Sequence, residues 1–268
     1  MQFDMNQAWR EASGMVSANS QVLGIVAGVF FFLPSLATAI FAPMPEPAAG
    51  MAGEEAMAFM SAYYSEALPW IIGMGIAQAV GVLALLALLT DRSRPTVGEA
   101  LKAGAFSLPS YIASQLLVGL AFVAIIALGA ATGSVALAAV LFPVGFAGMV
   151  YAMTKTSLVA PVIVIDGVRN PIAAIGRSWN LTKGNSLRPF GFYFLVFLAF
   201  IVVMILVSML IGMVTMLALG ANMAATIVNG AISGALGAAM VVYFVSIIAA
   251  AHRQLSGPSA EAISATFE

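Results

Sequence analysis

The chain has 268 residues and a formal net charge of −1, and 62% of its residues are apolar while only 8% are charged. A soluble domain carries about 25% charged residues, so this chain has too few to cover a water-exposed surface. The near-neutral charge gives no reason to expect a nucleic-acid partner. Because the sequence has no cysteine and one histidine, it excludes disulfides, thiol catalysis, zinc–thiolate sites and multi-histidine metal sites, and we expect no cofactor.

The apolar residues are concentrated in long runs. The first twenty residues are polar, and the run that follows them is longer than the apolar region of a typical signal peptide, so we interpret it as a retained span. Each run reaches the roughly 20 residues that cross ~30 Å of hydrocarbon, and only helices satisfy the backbone there. The sequence therefore predicts an all-α polytopic membrane protein with one integral domain over 1–255 and a short, disordered tail over 256–268. The six runs are 22–41, 69–90, 111–131, 135–154, 189–219 and 224–251.

All ten lysines and arginines fall on one side of this six-span topology. They lie in the N-terminal tail, after the second span, between the fourth and fifth spans, and in the C-terminal tail. The loops on the other side have none, and the first of them, 42–68, carries four glutamates. The other two, 132–134 and 220–222, are tight turns. The positive-inside rule then predicts cytoplasmic termini and a multi-pass protein of the bacterial inner membrane.

Three segments on the basic side resemble one another. Each begins with a helix-capping residue, places a basic residue six or seven positions later, and carries an apolar stripe at helical spacing. We interpret them as amphipathic helices in the interface plane, each leading into a transmembrane hairpin, although any juxtamembrane segment tends to look amphipathic. The chain would then be three repeats, about 3–90, 91–165 and 166–252. The segments are 4–17, 96–107 and 170–183, with caps Asp4, Thr96 and Asn170 and basic residues Arg10, Lys102 and Arg177.

The third segment carries a motif together with the residues before it. Its members are Pro161, Asp166-Gly167, Arg177-Ser178-Trp179, Leu181 and Gly184-Asn185. This pattern resembles that of the YciC-like family of bacterial inner-membrane proteins and of the related membrane domain of glycerophosphoryl diester phosphodiesterases. The first group has no settled biochemical activity. In the second, catalysis belongs to an appended soluble barrel that we do not expect here, so the resemblance does not imply phosphodiesterase activity.

No span has an Asp or Glu in its interior, where coupled carriers usually place carboxylates. Lys155 is the one charge near a span interior, and we expect it to snorkel to the interface rather than act as a cation within the membrane. We interpret Asp166 as a loop end or as a salt-bridge partner of Arg169 or Arg177, and His252 as a boundary residue. No catalytic or metal site is predicted. The predicted structural motif consists of Asp166, Arg177, Ser178, Trp179 and Asn185.

Small residues and prolines add two expectations about packing. The pairs Gly24/Gly28 and Gly230/Gly234 have the spacing that permits close helix approach. Pro143 lies within the fourth span, and Pro109 and Pro161 lie at predicted span boundaries, so we expect kinks or breaks there.

These observations favour a non-enzymatic membrane protein that acts through lipid or protein contacts in envelope or membrane homeostasis, with a membrane protein or a second copy as possible partner. The alternative is a small transporter, for which a water-filled cavity at mid-depth, lined by Gln78, Gln115 or Asn229, would argue. An intramembrane enzyme has no motif in its favour. Expected contacts with anionic head groups are Arg10, Lys102, Arg177, Lys183 and Arg188.

Overall fold

The structure is a computed structural model that describes residues 3–42, 48, 50–90, 95–131, 133, 135–220 and 222–257. Within these residues the protein is helical and has no β-strand. The helices are α1 (Met5–Ala18), α2 (Ser20–Ala27), α3 (Leu33–Phe41), α4 (Gly53–Thr90), α5 (Val97–Ala131), α6 (Val135–Thr156), α7 (Val159–Val164), α8 (Pro171–Leu181), α9 (Leu187–Leu219) and α10 (Met223–Ser256), and a π-helical turn (Gly28–Phe32) joins α2 to α3.

Six stretches of helix are long and apolar enough to cross a membrane, as the sequence predicted. Their mean hydropathy over the best window ranges from 1.4 to 3.3. The chain is therefore an all-α, multi-pass membrane protein. The six are Ser20–Phe41, Gly53–Thr90, Val97–Gly129, Leu141–Val164, Leu187–Leu219 and Met223–Ser256.

Several helix ends differ from the predicted ones. The second amphipathic segment is not a separate helix, because α5 runs without interruption from Val97 to Ala131 and includes Pro109, which was predicted as a boundary. The fourth span instead breaks at Ser157 and Leu158, between α6 and α7. Pro161 lies one turn after the break and cannot donate the N–H that a continuous helix would give to the Ser157 carbonyl, so it accounts for the break that was expected near it.

The three predicted caps are confirmed. Asp4 accepts the Gln7 N–H at 2.9 Å, and Asn170 accepts the Ala173 N–H at 3.1 Å. Thr96 and Glu99 form a reciprocal capping box: the Glu99 N–H donates to the Thr96 hydroxyl at 3.3 Å and the Thr96 N–H donates to the Glu99 carboxylate at 2.8 Å. The capped segments are helical, and the threefold repeat itself stays a prediction.

The chain forms two compact units. The first contains the described residues of Met1–Asn19, Leu83–Val196 and Tyr243–Glu268. In it, α1 packs by Ala8 and Ala12 against the end of α10, around Ile247 and Ala250. A second cluster joins α7 to α8 through Val162, Ile163 and Ala174. These contacts place α8 and the end of α10 beside the break in the fourth span.

The second unit contains Ser20–Val82 and Phe197–Val242. The π-helical turn precedes Pro34, whose ring and missing N–H disturb the regular ladder one turn earlier. A Cβ added at Gly81 of α4 would lie 2.6 Å from Phe30 Cβ, so the turn and α4 approach closely. One at Gly230 would lie 2.8 Å from Ala39 Cβ, which confirms close approach there.

Candidate functional site

The loop after α7 contains an acidic side chain held by two basic ones. The Asp166 carboxylate forms an ion pair with Arg177 Nε of α8. Its other oxygen lies 3.3 Å from His252 Nε2 of α10. That nitrogen is buried and has no hydrogen-bond partner among the described residues, and the contact is an ion pair only when His252 is protonated. Gly167 follows with φ +69°, a left-handed conformation that reverses the chain toward α8. The predicted salt bridge is confirmed for Arg177.

This arrangement acts on the ionisation of Asp166. Partial burial alone raises the pKa of the carboxyl, but the contacts with His252 and Arg177 outweigh it and bring the pKa below its ordinary value of 3.8. The carboxylate is therefore ionised at neutral pH. An ionised carboxylate pinned between two side chains on different helices ties the loop to α8 and to α10.

Ser178 connects α8 to the break in the fourth span. Its hydroxyl donates to the Lys155 carbonyl at 2.7 Å and accepts the Leu158 N–H at 3.2 Å. The break between α6 and α7 leaves backbone groups without intrahelical partners, and a buried polar group must find one elsewhere. Ser178 is 0% exposed, and its hydroxyl is the hydrogen-bond partner of one such backbone donor, the Leu158 N–H, and of one acceptor, the Lys155 carbonyl. It acts as a bridge in place of a continuous helix.

Lys155 does not snorkel to the interface, contrary to our expectation. The residue is 2% exposed, and its ammonium donates to the Thr182 carbonyl at 3.0 Å. The ammonium also lies 5.5 Å from the centre of the Tyr151 ring and 5.6 Å from the Trp179 ring. Ring faces carry negative charge density, so they attract a cation that water no longer solvates. The α8 segment therefore covers Lys155 with a carbonyl and an indole.

The remaining motif residues belong to the same assembly. Trp179 packs edge to face against Tyr151, at 5.7 Å between ring centroids. Asn185 follows Gly184, whose φ of +80° turns the chain after α8, and its side-chain oxygen accepts the Phe3 N–H at 3.3 Å. All five residues of the predicted motif thus lie within the first unit, in contacts that join chain segments distant in sequence.

The sequence did not identify three members of this assembly. His252 is 86 positions from Asp166, and no local pattern connects them. Thr182 is 0% exposed, although threonine is mostly found at protein surfaces. The sequence does indicate that Lys155 needs a special environment, because a lone cation in an apolar run must be neutralised, paired or carried to water. It does not indicate which of these three applies.

The residues predicted to contact lipid head groups are in different situations. Arg177 is 47% exposed along its side chain and engaged with Asp166. Arg10 lies on α1, Lys102 on α5, Lys183 in the turn after α8, and Arg188 at the start of α9, and these four are exposed.

Comparisons with protein-family models, with curated proteins and with solved structures found no match to this chain. The resemblance to the YciC-like family stays a prediction that depends on the motif.

Proposed function

We propose that this chain is a non-enzymatic protein of the bacterial inner membrane that acts through contacts with anionic lipid or with a membrane protein partner. The observation that supports this proposal most is that the polar side chains of the motif contact other segments of the chain. Asp166, Arg177 and Ser178 each contact a distant segment of the chain, and so does Lys155. A side chain engaged in this way holds helices together, which is a structural role.

The basic side chains support the lipid half of the proposal. Exposed lysines and arginines near a membrane surface attract anionic head groups by about 1 kcal/mol each. The sequence places all ten lysines and arginines on one side of the predicted topology, although Lys155 is buried. A membrane homeostasis role would follow if the protein retained anionic lipid on that side.

A partner in the membrane is supported by α9. Its most apolar window has a mean hydropathy of 3.3, and none of that window is buried within the chain. Lipid tails would cover this surface in a monomer, and another membrane helix or a second copy would cover it in a complex.

The test is lipid selectivity of the purified full-length protein. Native mass spectrometry in mild detergent would compare the retention of phosphatidylglycerol and of phosphatidylcholine that carry the same acyl chains. We expect preferential retention of phosphatidylglycerol that falls as salt rises, since salt screens exposed charges. Equal retention of the two lipids at low salt would contradict the proposal.

A small transporter is the second candidate, and one cavity favours it. In the second unit, a cavity of about 650 Å³ lies beside the α9–α10 turn. Asn229, which the sequence associated with a transport path, lines it, and the Asn229 amide donates to the Thr215 hydroxyl at 2.9 Å. Gln78 and Gln115 do not line this cavity. Uptake of small polar solutes into proteoliposomes, compared between the natural protein and Asn229→Leu, would test this candidate.

A further inference from the structure

The first unit has a groove between the start of α5 and the end of α7. Its volume is about 320 Å³. One wall comes from the first turns of α5, and the other comes from α7 and the loop that leads to α8. Its lining includes Glu99, Lys102, Phe106, Ser107, Val164 and Arg169.

The groove contains two cations and one carboxylate. Lys102 and Arg169 are exposed and have no ion-pair partner among the residues that the structure describes. The Glu99 carboxylate is turned back to the start of its own helix, where one oxygen accepts from the Thr96 N–H and hydroxyl, both at 2.8 Å. Lysine and arginine without a protein partner are the side chains that bind phosphate oxygens.

The rest of the groove is apolar. Phe106 is 62% exposed although it is a large aromatic side chain, and Ile163 and Val164 line the other wall. The Ser107 hydroxyl adds a polar group beside them, in a residue that is 8% exposed. A ligand that matches this lining has a negatively charged head and an apolar chain. A soluble phosphate compound would leave the aromatic wall uncovered.

The position of the groove fits the same ligand. The third span begins at Val97 and the fourth ends at Val164, so the groove lies where both reach the same membrane surface. A span of 33 residues is about 50 Å long, which exceeds the ~30 Å hydrocarbon layer. The excess length allows the first turns of α5, with Lys102, to reach the head-group layer, and Phe106 lies about one turn further along the helix.

We propose that this groove binds one anionic phospholipid, with its phosphate between Lys102 and Arg169 and an acyl chain along Phe106. The inference rests on the proposed function, because it gives the general lipid contact a defined place.

The experiment titrates phosphatidylglycerol into the delipidated full-length protein and counts bound lipids by native mass spectrometry. The groove variants are Lys102→Gln and Arg169→Gln, and the charge-matched control is Arg253→Gln, which removes one exposed cation outside the groove. We expect the first bound lipid to be weakened roughly fivefold in each groove variant and less than twofold in the control. Equal thermal stability of the three variants confirms that all are folded.

A second comparison distinguishes a lipid from a free phosphate compound. We expect Phe106→Ala to weaken phosphatidylglycerol binding, and we expect soluble glycerol 3-phosphate not to compete. Competition by glycerol 3-phosphate, together with unchanged lipid binding in Phe106→Ala, would overturn the proposal. Equal losses in the groove and control variants, with selectivity for phosphatidylglycerol retained, would overturn the groove alone. If the natural protein does not prefer phosphatidylglycerol to phosphatidylcholine, the proposed function is overturned as well.

Discussion

Ser178 shows how one hydroxyl can replace a stretch of helix. The fourth span breaks at Ser157 and Leu158, and Ser178 accepts the Leu158 N–H and donates to the Lys155 carbonyl on the other side of the break. A backbone donor and a backbone acceptor, both away from water, depend on this one side chain. Where water is absent, each such group is costly to leave without a partner.

Ser178→Ala should therefore lower stability. We expect a loss of roughly 1–3 kcal/mol, the usual cost of leaving a buried polar group without a hydrogen bond. Thermal unfolding of the detergent-solubilised protein measures it. Ser61→Ala is the control, because the exposed Ser61 hydroxyl bonds only to a carbonyl of its own helix. If the two variants unfold at the same temperature, the bridge does not stabilise the fold.

The contacts of Asp166 with Arg177 and His252 predict a dependence of stability on pH. The pKa of Asp166 in the folded protein is below 3.8, so the unfolded chain binds its proton more readily than the folded one. The stabilisation is fully present above pH 3.8 and is lost as pH falls through the lower, folded pKa. Arg177 and His252 are the charged or titratable groups that face Asp166, from α8 and α10.

Asp166→Asn should remove that dependence. We expect this variant to unfold at a lower temperature than the natural protein at pH 6, and the difference to shrink as the pH is lowered toward 3. Thermal scans between pH 6 and pH 3 measure the unfolding temperatures. The control is Glu54→Gln, at an exposed position, whose unfolding temperature should change between pH 6 and pH 3 by as much as that of the natural protein. A constant gap between Asp166→Asn and the natural protein at every pH would contradict the assignment.

At the scale of single elements, the contact between α4 and the π-helical turn depends on one glycine. A Cβ at Gly81 would lie 2.6 Å from Phe30 Cβ and 2.9 Å from Phe31 Cζ. The Phe30 atom is next to the backbone and cannot swing away as a side-chain tip could. The helix must therefore shift to accept even a methyl group.

Gly81→Ala should accordingly destabilise the protein by roughly 1–3 kcal/mol, the range for overpacking. Gly73→Ala, eight residues earlier on the same helix, meets no atom within 4 Å and should leave stability unchanged or raise it, because alanine is the better helix former. Thermal unfolding of the two variants compares them directly. A Gly81→Ala protein as stable as Gly73→Ala would show that the approach is looser than described.

The helix pairs show what a sequence can and cannot predict. Capping residues were predicted correctly because a cap joins residues only three positions apart. The two glycine pairs have identical spacing, yet Gly230 faces Ala39 while a Cβ at Gly24 or Gly28 would meet no described atom within 4 Å. Spacing places two glycines on one face of a helix, but the neighbour of that face depends on the whole fold. The contact between Asp166 and His252 also depends on the whole fold, so the sequence did not predict it.

At the scale of the whole molecule, six spans follow from composition, but their orientation needs an experiment. Apolar length is a property of each segment alone, so the sequence predicted all six correctly. Orientation depends on the membrane, where the positive-inside rule favours cytoplasmic termini. The asymmetry is complete, with ten basic residues on one predicted side and none on the other.

Single cysteines can test the orientation cleanly, because the natural chain has none. We expect Glu54→Cys, at the start of the second span, to react with a membrane-impermeant maleimide in intact cells, and Lys183→Cys, after the fourth, to react only once the membrane is permeabilised. Thr132 and Ser93 lie outside the described residues. We expect Thr132→Cys to be labelled in intact cells, like Glu54→Cys, and Ser93→Cys to be labelled only after permeabilisation, like Lys183→Cys. Since adjacent loops of one chain must alternate across the bilayer, labelling of Lys183→Cys and Ser93→Cys in intact cells would reverse the topology. The cations of the lipid groove would then face the periplasm, where the anionic lipid would have to be supplied by the outer leaflet.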